Sequence, residues 1–215
     1  GYLRDNGFAA RKGQIVDASI VQVPIQRNSR KENEQIKQGD ADKVRKDWSK
    51  SKSSQKDTDA RWTKKNGKTY FGYKNHIQTD VKYKFVRDYR VTDASVHDSQ
   101  VFIELLDPAN TSADVFADSA YRSAESLGNL EMLWYREHIQ RKGHRGRPLS
   151  AWEKQGNHTR SKTRSRVEHI FGVQAMKMGD TILRCIGIVR ARCKIGLRNL
   201  AYNLDRYAML RTTKG

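Results

Sequence analysis

Cysteine, acidic residues and long hydrophobic runs are all scarce in this chain of 215 residues. The only two cysteines, Cys185 and Cys193, form no CxxC pair, so we expect small buried apolar side chains in a reducing compartment and no zinc site. No apolar run is long enough to cross a bilayer, which excludes a transmembrane helix. No secretory signal is visible either.

The shortage of acids leaves a strongly cationic protein. There are 42 Lys and Arg against 24 Asp and Glu, which gives a formal net charge of +18. Such a charge favours an anionic partner, with DNA or RNA as the first candidate and a solvated surface or a membrane-adsorbing protein as the alternatives. Hydrophobic residues make up 36% of the chain but are clustered, so its length predicts one folded domain with a real core.

Three carboxylates stand out from the segments around them. Asp17 interrupts the apolar run 15–21, Asp118 ends the run 115–117, and Glu168 lies in cationic sequence. A carboxylate in a hydrophobic strand is costly unless a cation or a hydrogen-bond network compensates for it. In a protein this basic, the three acids predict a divalent-metal site that faces a polyanion.

Each acid also has a simpler interpretation. Asp17 is otherwise a buried acid with satisfied hydrogen bonds, Asp118 a cap of the following helix, and Glu168 the partner of Arg164 one helical turn earlier. Their joint placement favours the metal site. Mg²⁺ prefers oxygen ligands, and two Mg²⁺ or Mn²⁺ ions about 4 Å apart can promote phosphodiester displacement. Without metal, repulsion among the acids predicts a loosely ordered site or raised pKa values.

The order of the predicted elements indicates an α/β fold. We predict strands at 13–23, 69–79, 84–92, 113–117 and 133–140, a helix that starts at Ser95 and stops at Asp107, and helices near 122–131, 160–178 and 186–209. The last helix has Val189, Cys193, Leu197, Leu200 and Leu204 on one face. This order suits a ribonuclease-H-like mixed sheet flanked by helices. We expect a single catalytic domain over 1–215, with a C-terminal helical region at 180–215.

Residues 25–68 form a long polar segment between the first strand and the hairpin. They hold 14 Lys and Arg against 7 Asp and Glu, with few apolar residues beyond Ile36, Val44, Trp48 and Trp62. We predict a mostly irregular basic insertion, which is either functional on DNA or a flexible solvated segment.

A second basic segment runs from Arg141 to Arg164 and contains 8 Lys and Arg against one acid, Glu153. Arginine can bind phosphate oxygens through two hydrogen bonds, so we predict contact with the DNA backbone rather than a solvated loop. Trp152 is expected either to stack on a base or to pack against the core. The candidate DNA-binding residues are Arg141, Lys142, Arg145, Arg147, Arg160, Lys162, Arg164 and, further along, Lys177.

Six motifs occur in order along the chain, at 15–19, 73–76, 91–98, 117–122, 139–143 and 164–172. Together they resemble the DDE transposases of bacterial insertion sequences, specifically the insertion-sequence-five-like group. The resemblance implies a ribonuclease-H-like core in which Asp17, Asp118 and Glu168 bind Mg²⁺ and which cuts and joins DNA at element ends. It also implies a homodimer or larger assembly on terminal inverted repeats and target DNA, in the bacterial cytoplasm at the nucleoid.

The chain departs from the pattern of this family at several places. Arg164 matches the signature arginine and would contact DNA or orient Glu168, but Ser161 stands where Tyr is common. Ala175 stands where Lys is common, and Lys177 lies two residues further on, on another face of the helix. Such proteins usually carry a DNA-binding region upstream of the first Asp. We expect it to be absent from this chain, which begins with Gly rather than Met.

Two other functions suit the same residues. Another ribonuclease-H-like nuclease would use the three acids without strand transfer. A catalytically inactive DNA-binding remnant would need only the basic surface.

Overall fold

The computed structural model describes residues 1–179 and 182–212. The helices are α1 (Tyr2–Asp5), α2 (Arg30–Lys37), α3 (Ala41–Lys46), α4 (Lys50–Gln55), α5 (Ala124–Met132), α6 (Ala151–Arg164), α7 (Arg166–Lys177) and α8 (Ile188–Thr212). The strands are β1 (Gln14–Gln22), β2 (Arg61–Lys65), β3 (Lys68–Asp80), β4 (Val86–Asp93), β5 (Asp114–Ala117) and β6 (Arg136–Ile139). No helix of the described residues is both long and apolar enough to cross a membrane.

The six strands form one mixed sheet with β1 at its centre. β1 pairs antiparallel with β3 and parallel with β5, and β6 continues the sheet parallel to β5. β2 and β4 both pair antiparallel with β3, along its first and second halves respectively. This confirms the predicted ribonuclease-H-like α/β architecture, a mixed sheet flanked by helices.

β1 is apolar on both faces because the sheet is covered on both. Ile15 packs in one cluster with Val167 and Ile170 of α7, whereas Val16, on the other face, packs in another with Phe102. Alternate residues of a strand share a face, so Asp17 lies on the same side as Ile15. The first predicted acid therefore faces the layer that contains α7.

Gly72 allows β1 and β3 to approach closely at the end of their pairing. Its φ is +153°, and a Cβ atom there would lie 2.2 Å from the carbonyl oxygen of Val21. Gly72→Ala is therefore expected to lower the free energy of unfolding by about 3 kcal/mol, because backbone atoms must move. Gly128→Ala in α5 is the matched control, since nothing lies within 4 Å of its Cβ position, and it should stabilise by about 0.5–1 kcal/mol. Urea unfolding measures the free energy of unfolding of both variants. Equal changes in the two variants would contradict the steric explanation.

The prediction that residues 25–68 are mostly irregular was wrong. They contain α2, α3, α4 and β2, and Ile36, Val44 and Trp48 form a small apolar cluster of their own. Ser29 and Glu32 form a capping box at the start of α2, a local signal that the sequence contained. Spaced apolar anchors, together with side-chain caps on α2 and α4, stabilise the short helices of this basic segment.

Two further predictions about elements need correction. The helix expected from Ser95 is a pair of short 3₁₀ turns, Asp98–Val101 and Ile103–Leu105, and the side chain of His97 caps the first of them. The single helix expected at 160–178 is two helices, α6 and α7, which meet at Ser165. α6 has no buried residue, so no apolar periodicity marked it in the sequence.

The C-terminal region agrees with the sequence in its helix but not in its cysteines. α8 begins two residues after the start of the helix predicted at 186–209 and continues to Thr212, while residues 180–181 and 213–215 lie outside the described part of the chain. Cys193 is exposed and Cys185 is only partly buried, so the expectation of two buried thiols was wrong. The apolar face described from the sequence is exposed to solvent: Val189, Cys193, Leu197, Leu200 and Leu204.

Candidate active site

One open cavity of about 610 Å³ contains the three predicted acids. Ile15 of β1 lies opposite Phe116 of the parallel strand β5. Asp17 lies two residues after Ile15, and Asp118 lies two residues after Phe116. The two acids are therefore side by side in adjacent parts of the sheet and on the same face. Glu168 enters from α7, one residue after Val167, which is fully buried. The sheet and one helix thus converge on the cavity from three separate parts of the sequence.

Arg164 links two of these acids. Its Nη1 lies 2.7 Å from Oδ2 of Asp17, and its Nη2 lies 2.6 Å from Oε1 of Glu168. Asp17 is the more buried of the two carboxylates, with 13% of its side chain exposed against 58% for Glu168. The guanidinium therefore neutralises the buried acid and also makes the pair with Glu168 that the sequence suggested.

Among the described residues, the hydrogen bond found for the Asp118 side chain is a local one. Its Oδ1 accepts a hydrogen bond of 2.7 Å from the backbone N–H of Ala120, which caps the short 3₁₀ turn Ser119–Tyr121. The capping role foreseen for Asp118 is thus real. The cap uses Oδ1 of the carboxylate, and Asp118 still lines the cavity with Asp17.

Burial raises the pKa of Asp17 from 3.8 to about 6. The charge of Arg164 and the backbone N–H of Ala18 act in the opposite direction, and the negative charge of Asp118 adds to the rise. A raised pKa was expected for converging acids without a metal, and Asp17 shows it, although desolvation is the larger cause.

The cavity suits a hard divalent cation in its chemistry but is not a closed metal cage. Among residues 1–179 and 182–212, no three His, Cys, Asp or Glu side chains come close enough together to hold an ion. The donors that line the cavity are carboxylates, which Mg²⁺ and Mn²⁺ prefer. Arg164 already places a cation between Asp17 and Glu168, so the site accommodates positive charge where these two acids meet.

Tyr121 is a neighbour of the acids that the sequence did not single out for a role. Its side chain is fully buried against Phe102, and its hydroxyl has no hydrogen-bond partner in the described part of the chain. Burial raises its pKa well above 10, with further contributions from the charges of Asp17, Asp98 and Asp118. Tyr121 does not line the cavity of the acids, so its hydroxyl lies behind the site rather than in it.

A second hairpin, missed in the sequence, brings a lysine to the same cavity. β2 and β3 are joined by Asn66 and Gly67, both with positive φ, which is the tight turn that an Asn-Gly pair favours. Lys65, Asn66 and Tyr70 from this hairpin line the cavity of the acids. The Asn-Gly dipeptide was the signal that could have revealed it.

The basic segment before α6 forms a second cavity of about 410 Å³ next to Asp118. Its lining comprises Ser119, Arg122, Arg141, Lys142, His144, Arg147, Pro148, Leu149 and Glu153. Arg141 lies over the ring of Trp152 at 5.3 Å and 3.4 Å from a carboxylate oxygen of Glu153. Trp152 is 71% exposed, so it does not pack in the core. Lys142, Arg145 and Arg147 are exposed.

The remaining predicted DNA-binding residues are distributed along α6 and α7. Lys162 is exposed and Arg160 is half-buried on α6. Lys177 lies 3.3 Å from Asp205 of α8. It is nine residues beyond Glu168, about 14 Å along the helix axis, and does not line the cavity of the acids.

The family model and the curated relative that match this chain both describe transposases. Residues 9–204 match the model of the transposase DDE domain. The chain is 30% identical over 208 residues to the transposase for insertion sequence element IS1106 of Neisseria meningitidis serogroup B, a match that covers 96% of this chain and 69% of that protein. No solved structure is significantly similar. The family match extends over most of the chain and includes all three acids, and the chain therefore belongs to the family of transposase DDE domains.

Proposed function

We propose that this protein is the catalytic core of a DNA transposase, which cuts DNA at element ends and transfers the cut strand into target DNA. The observation that carries the proposal is the single cavity that Asp17, Asp118 and Glu168 all line, in a protein of net charge +18. Membership of the DDE family supports it. In the first step water attacks the phosphodiester and frees a 3′-hydroxyl. In the second step that hydroxyl attacks target DNA in line, with no covalent protein–DNA intermediate.

The three acids would hold Mg²⁺ or Mn²⁺, most naturally as two ions. When bound, these would activate the attacking oxygen and stabilise the charge that develops on the leaving oxygen. Arg164 would then exchange its contact with Asp17 for one with a DNA phosphate, because its guanidinium can bind phosphate oxygens as well as carboxylates.

Cationic side chains flank the acids on two sides and would bind the DNA backbone. Lys65 approaches from the β2–β3 hairpin, and Lys142 and Arg147 approach from the cavity beside Asp118. Arg141, Arg145, Arg160, Lys162 and Lys177 complete the proposed set of contacts. Lys177 would contact DNA outside the cavity of the acids, after release from Asp205. Element terminal inverted repeats and target DNA are the proposed partners, in the bacterial cytoplasm at the nucleoid.

The decisive experiment is the joining of a precut DNA end to a target. A duplex with the native element end and a free 3′-hydroxyl would be incubated with the protein, a supercoiled plasmid and Mg²⁺ or Mn²⁺. We expect a covalently joined product that requires the metal. Plasmid or end cleavage without joining would favour the ribonuclease-H-like nuclease, and DNA binding with neither product would favour the inactive remnant.

A further inference from the structure

A smaller cavity of about 180 Å³ adjoins the cavity of the acids. Ser19 of β1 and Phe171 of α7 line both cavities, so the two share a boundary. Asp17, two residues before Ser19, lines the cavity of the acids, and Val21, two residues after it, lines the smaller cavity. The face of β1 that carries the first acid therefore continues from one cavity into the other.

α7 passes the two cavities in the same order. Glu168 lines the cavity of the acids, and Ala175, seven residues later, lines the smaller cavity. Seven residues are close to two full turns, so Ala175 lies on the same side of the helix as Glu168, about 10 Å further along its axis. In duplex DNA this distance corresponds to about three phosphates along one strand. A strand bound at the acids can thus reach the smaller cavity.

Arg198 of α8 brings a positive charge to the smaller cavity. It is half-buried and is the one charged residue among the described residues that line this cavity. Arg164, the arginine in the cavity of the acids, is instead bonded to the carboxylates of Asp17 and Glu168. An anion that enters the smaller cavity therefore meets a guanidinium in a lining whose described residues include no carboxylate.

A buried network of amides holds the wall that carries Arg198 in place. Asn199, the next residue of α8, is 2% exposed. Its Oδ1 accepts hydrogen bonds of 3.0 Å from Nδ2 of Asn75 on β3 and of 2.9 Å from Nε2 of Gln174 on α7. Asn75 and Gln174 also line the smaller cavity. Because buried polar groups that satisfy one another favour a single arrangement, α8 is fixed relative to β3 and α7 at this point.

We propose that the smaller cavity is a phosphate subsite for the DNA strand that passes through the cavity of the acids, and that Arg198 binds the phosphate there. The inference rests on the proposed function and adds a DNA contact that the sequence did not indicate. A guanidinium can bind phosphate oxygens through two hydrogen bonds, and the hydroxyl of Ser19 is a further donor. At position 175, where the family commonly has Lys, this chain has the small side chain of alanine, and the cation comes from α8 instead.

The first test places a negative charge at the edge of the subsite. Ala175→Glu and Met176→Glu change the net charge equally at neighbouring exposed positions of α7, and Met176 is not among the described residues that line the smaller cavity. Fluorescence anisotropy with a precut element-end duplex in EDTA measures Kd without metal or cleavage. We expect Kd to rise about tenfold more in Ala175→Glu than in Met176→Glu, because like charges that face each other repel. Equal losses of affinity in the two variants would overturn the inference.

The second test removes the cation and restores it from the other wall of the cavity. Arg198→Gln should raise Kd about tenfold and reduce the slope of log K against log salt by about 1. Arg211→Gln is the matched control, because it removes an exposed arginine about 20 Å further along the same helix and should leave Kd nearly unchanged. Ala175→Lys in the Arg198→Gln background should recover most of the lost affinity, which a merely structural role of Arg198 would not allow. An Arg198→Gln variant that binds like Arg211→Gln, or a loss that Ala175→Lys does not recover, would contradict the proposal.

The joining assay separates this inference from the proposed function. If the wild type joins ends while Ala175→Glu and Arg198→Gln bind DNA like their controls, the subsite is wrong and the proposed function stands. If the wild type joins nothing while Arg198→Gln loses affinity and Ala175→Lys restores it, the proposed function is wrong and the subsite stands as a DNA contact. The comparison of positions 175 and 176 decides the question by itself if Arg198→Gln does not fold.

Discussion

Asp17→Asn is expected to abolish DNA cleavage and at the same time to stabilise the protein in the absence of metal. Loss of a metal-ligating carboxylate should reduce cleavage at least ~10³-fold, because it removes several kcal/mol of charge stabilisation from the transition state. A gel-based cleavage assay on element-end DNA measures this loss. DNA binding should be spared, since Asp17 contributes no positive charge.

The gain in stability follows from the pKa of Asp17. A folded-state pKa of about 6 against 3.8 means that the folded protein holds the proton more tightly than the unfolded chain. Stability is therefore lost as the pH rises from about 4 to about 6, and above that range the full cost is about 3 kcal/mol. Asparagine cannot ionise, so Asp17→Asn should raise the free energy of unfolding by about 1–3 kcal/mol at pH 8 and have little effect near pH 4.

The matched control for this result is Asp118→Asn. It removes a second acid from the same cavity but also weakens the cap on the turn at Ser119–Tyr121, so cleavage should be lost with no gain in stability. Urea unfolding at pH 8 and pH 4 provides the comparison. Wild-type cleavage in Asp17→Asn would disprove the catalytic assignment, and an identical stability change at both pH values would disprove the electrostatic one.

Removal of Arg164 should have the opposite effect on stability. Arg164→Met leaves Asp17 without its counter-ion at 2.7 Å, so the free energy of unfolding at pH 8 should fall by about 2–4 kcal/mol. In the Asp17→Asn background the same substitution should cost much less, which gives a coupling energy of about 1–3 kcal/mol between the two residues. Chemical unfolding of the wild type, the two single variants and the double variant measures it.

Arg30→Met is the control for removal of a cation. Arg30 is 95% exposed and pairs with Glu34 at 3.6 Å, so its loss should change stability by less than about 0.5 kcal/mol. The cost of Arg164→Met should also shrink when Mn²⁺ is added, because a bound cation replaces the lost positive charge. A coupling energy near zero would show that Asp17 and Arg164 do not depend on each other.

Strands were predicted well where a regular pattern of apolar residues ends at a clear stop signal such as proline or a turn. β1, with its two apolar faces and Pro24 after it, and the aromatic hairpin of β3 and β4 were predicted within a few residues. α6 was missed because it buries nothing, so its residues show no helical period. The 3₁₀ turns after β4 were taken for one helix because their apolar residues are as dense as those of a short amphipathic helix.

The candidate site was predictable in its acids but not in its contacts. Asp17 and Asp118 stand out because they follow apolar strand residues, and strand order alone places them side by side. The bond between Arg164 and Asp17 joins residues 147 positions apart, which no local pattern encodes. Tyr121 was noted only within a motif, because its burial beside the acids depends on packing between distant parts of the chain.

The junction at Ser165 places Arg164 and Glu168 of the acid site on two different helices. On one continuous helix, Arg164 and Glu168 would be held in place by the same packing contacts. Here Arg164 ends α6, which has no buried side chain, while Glu168 lies on α7, which is anchored to the sheet through Val167 and Ile170. We therefore expect the two side chains to be held in the cavity by different means, Glu168 through the buried side chains of α7 and Arg164 through its contacts with the two carboxylates.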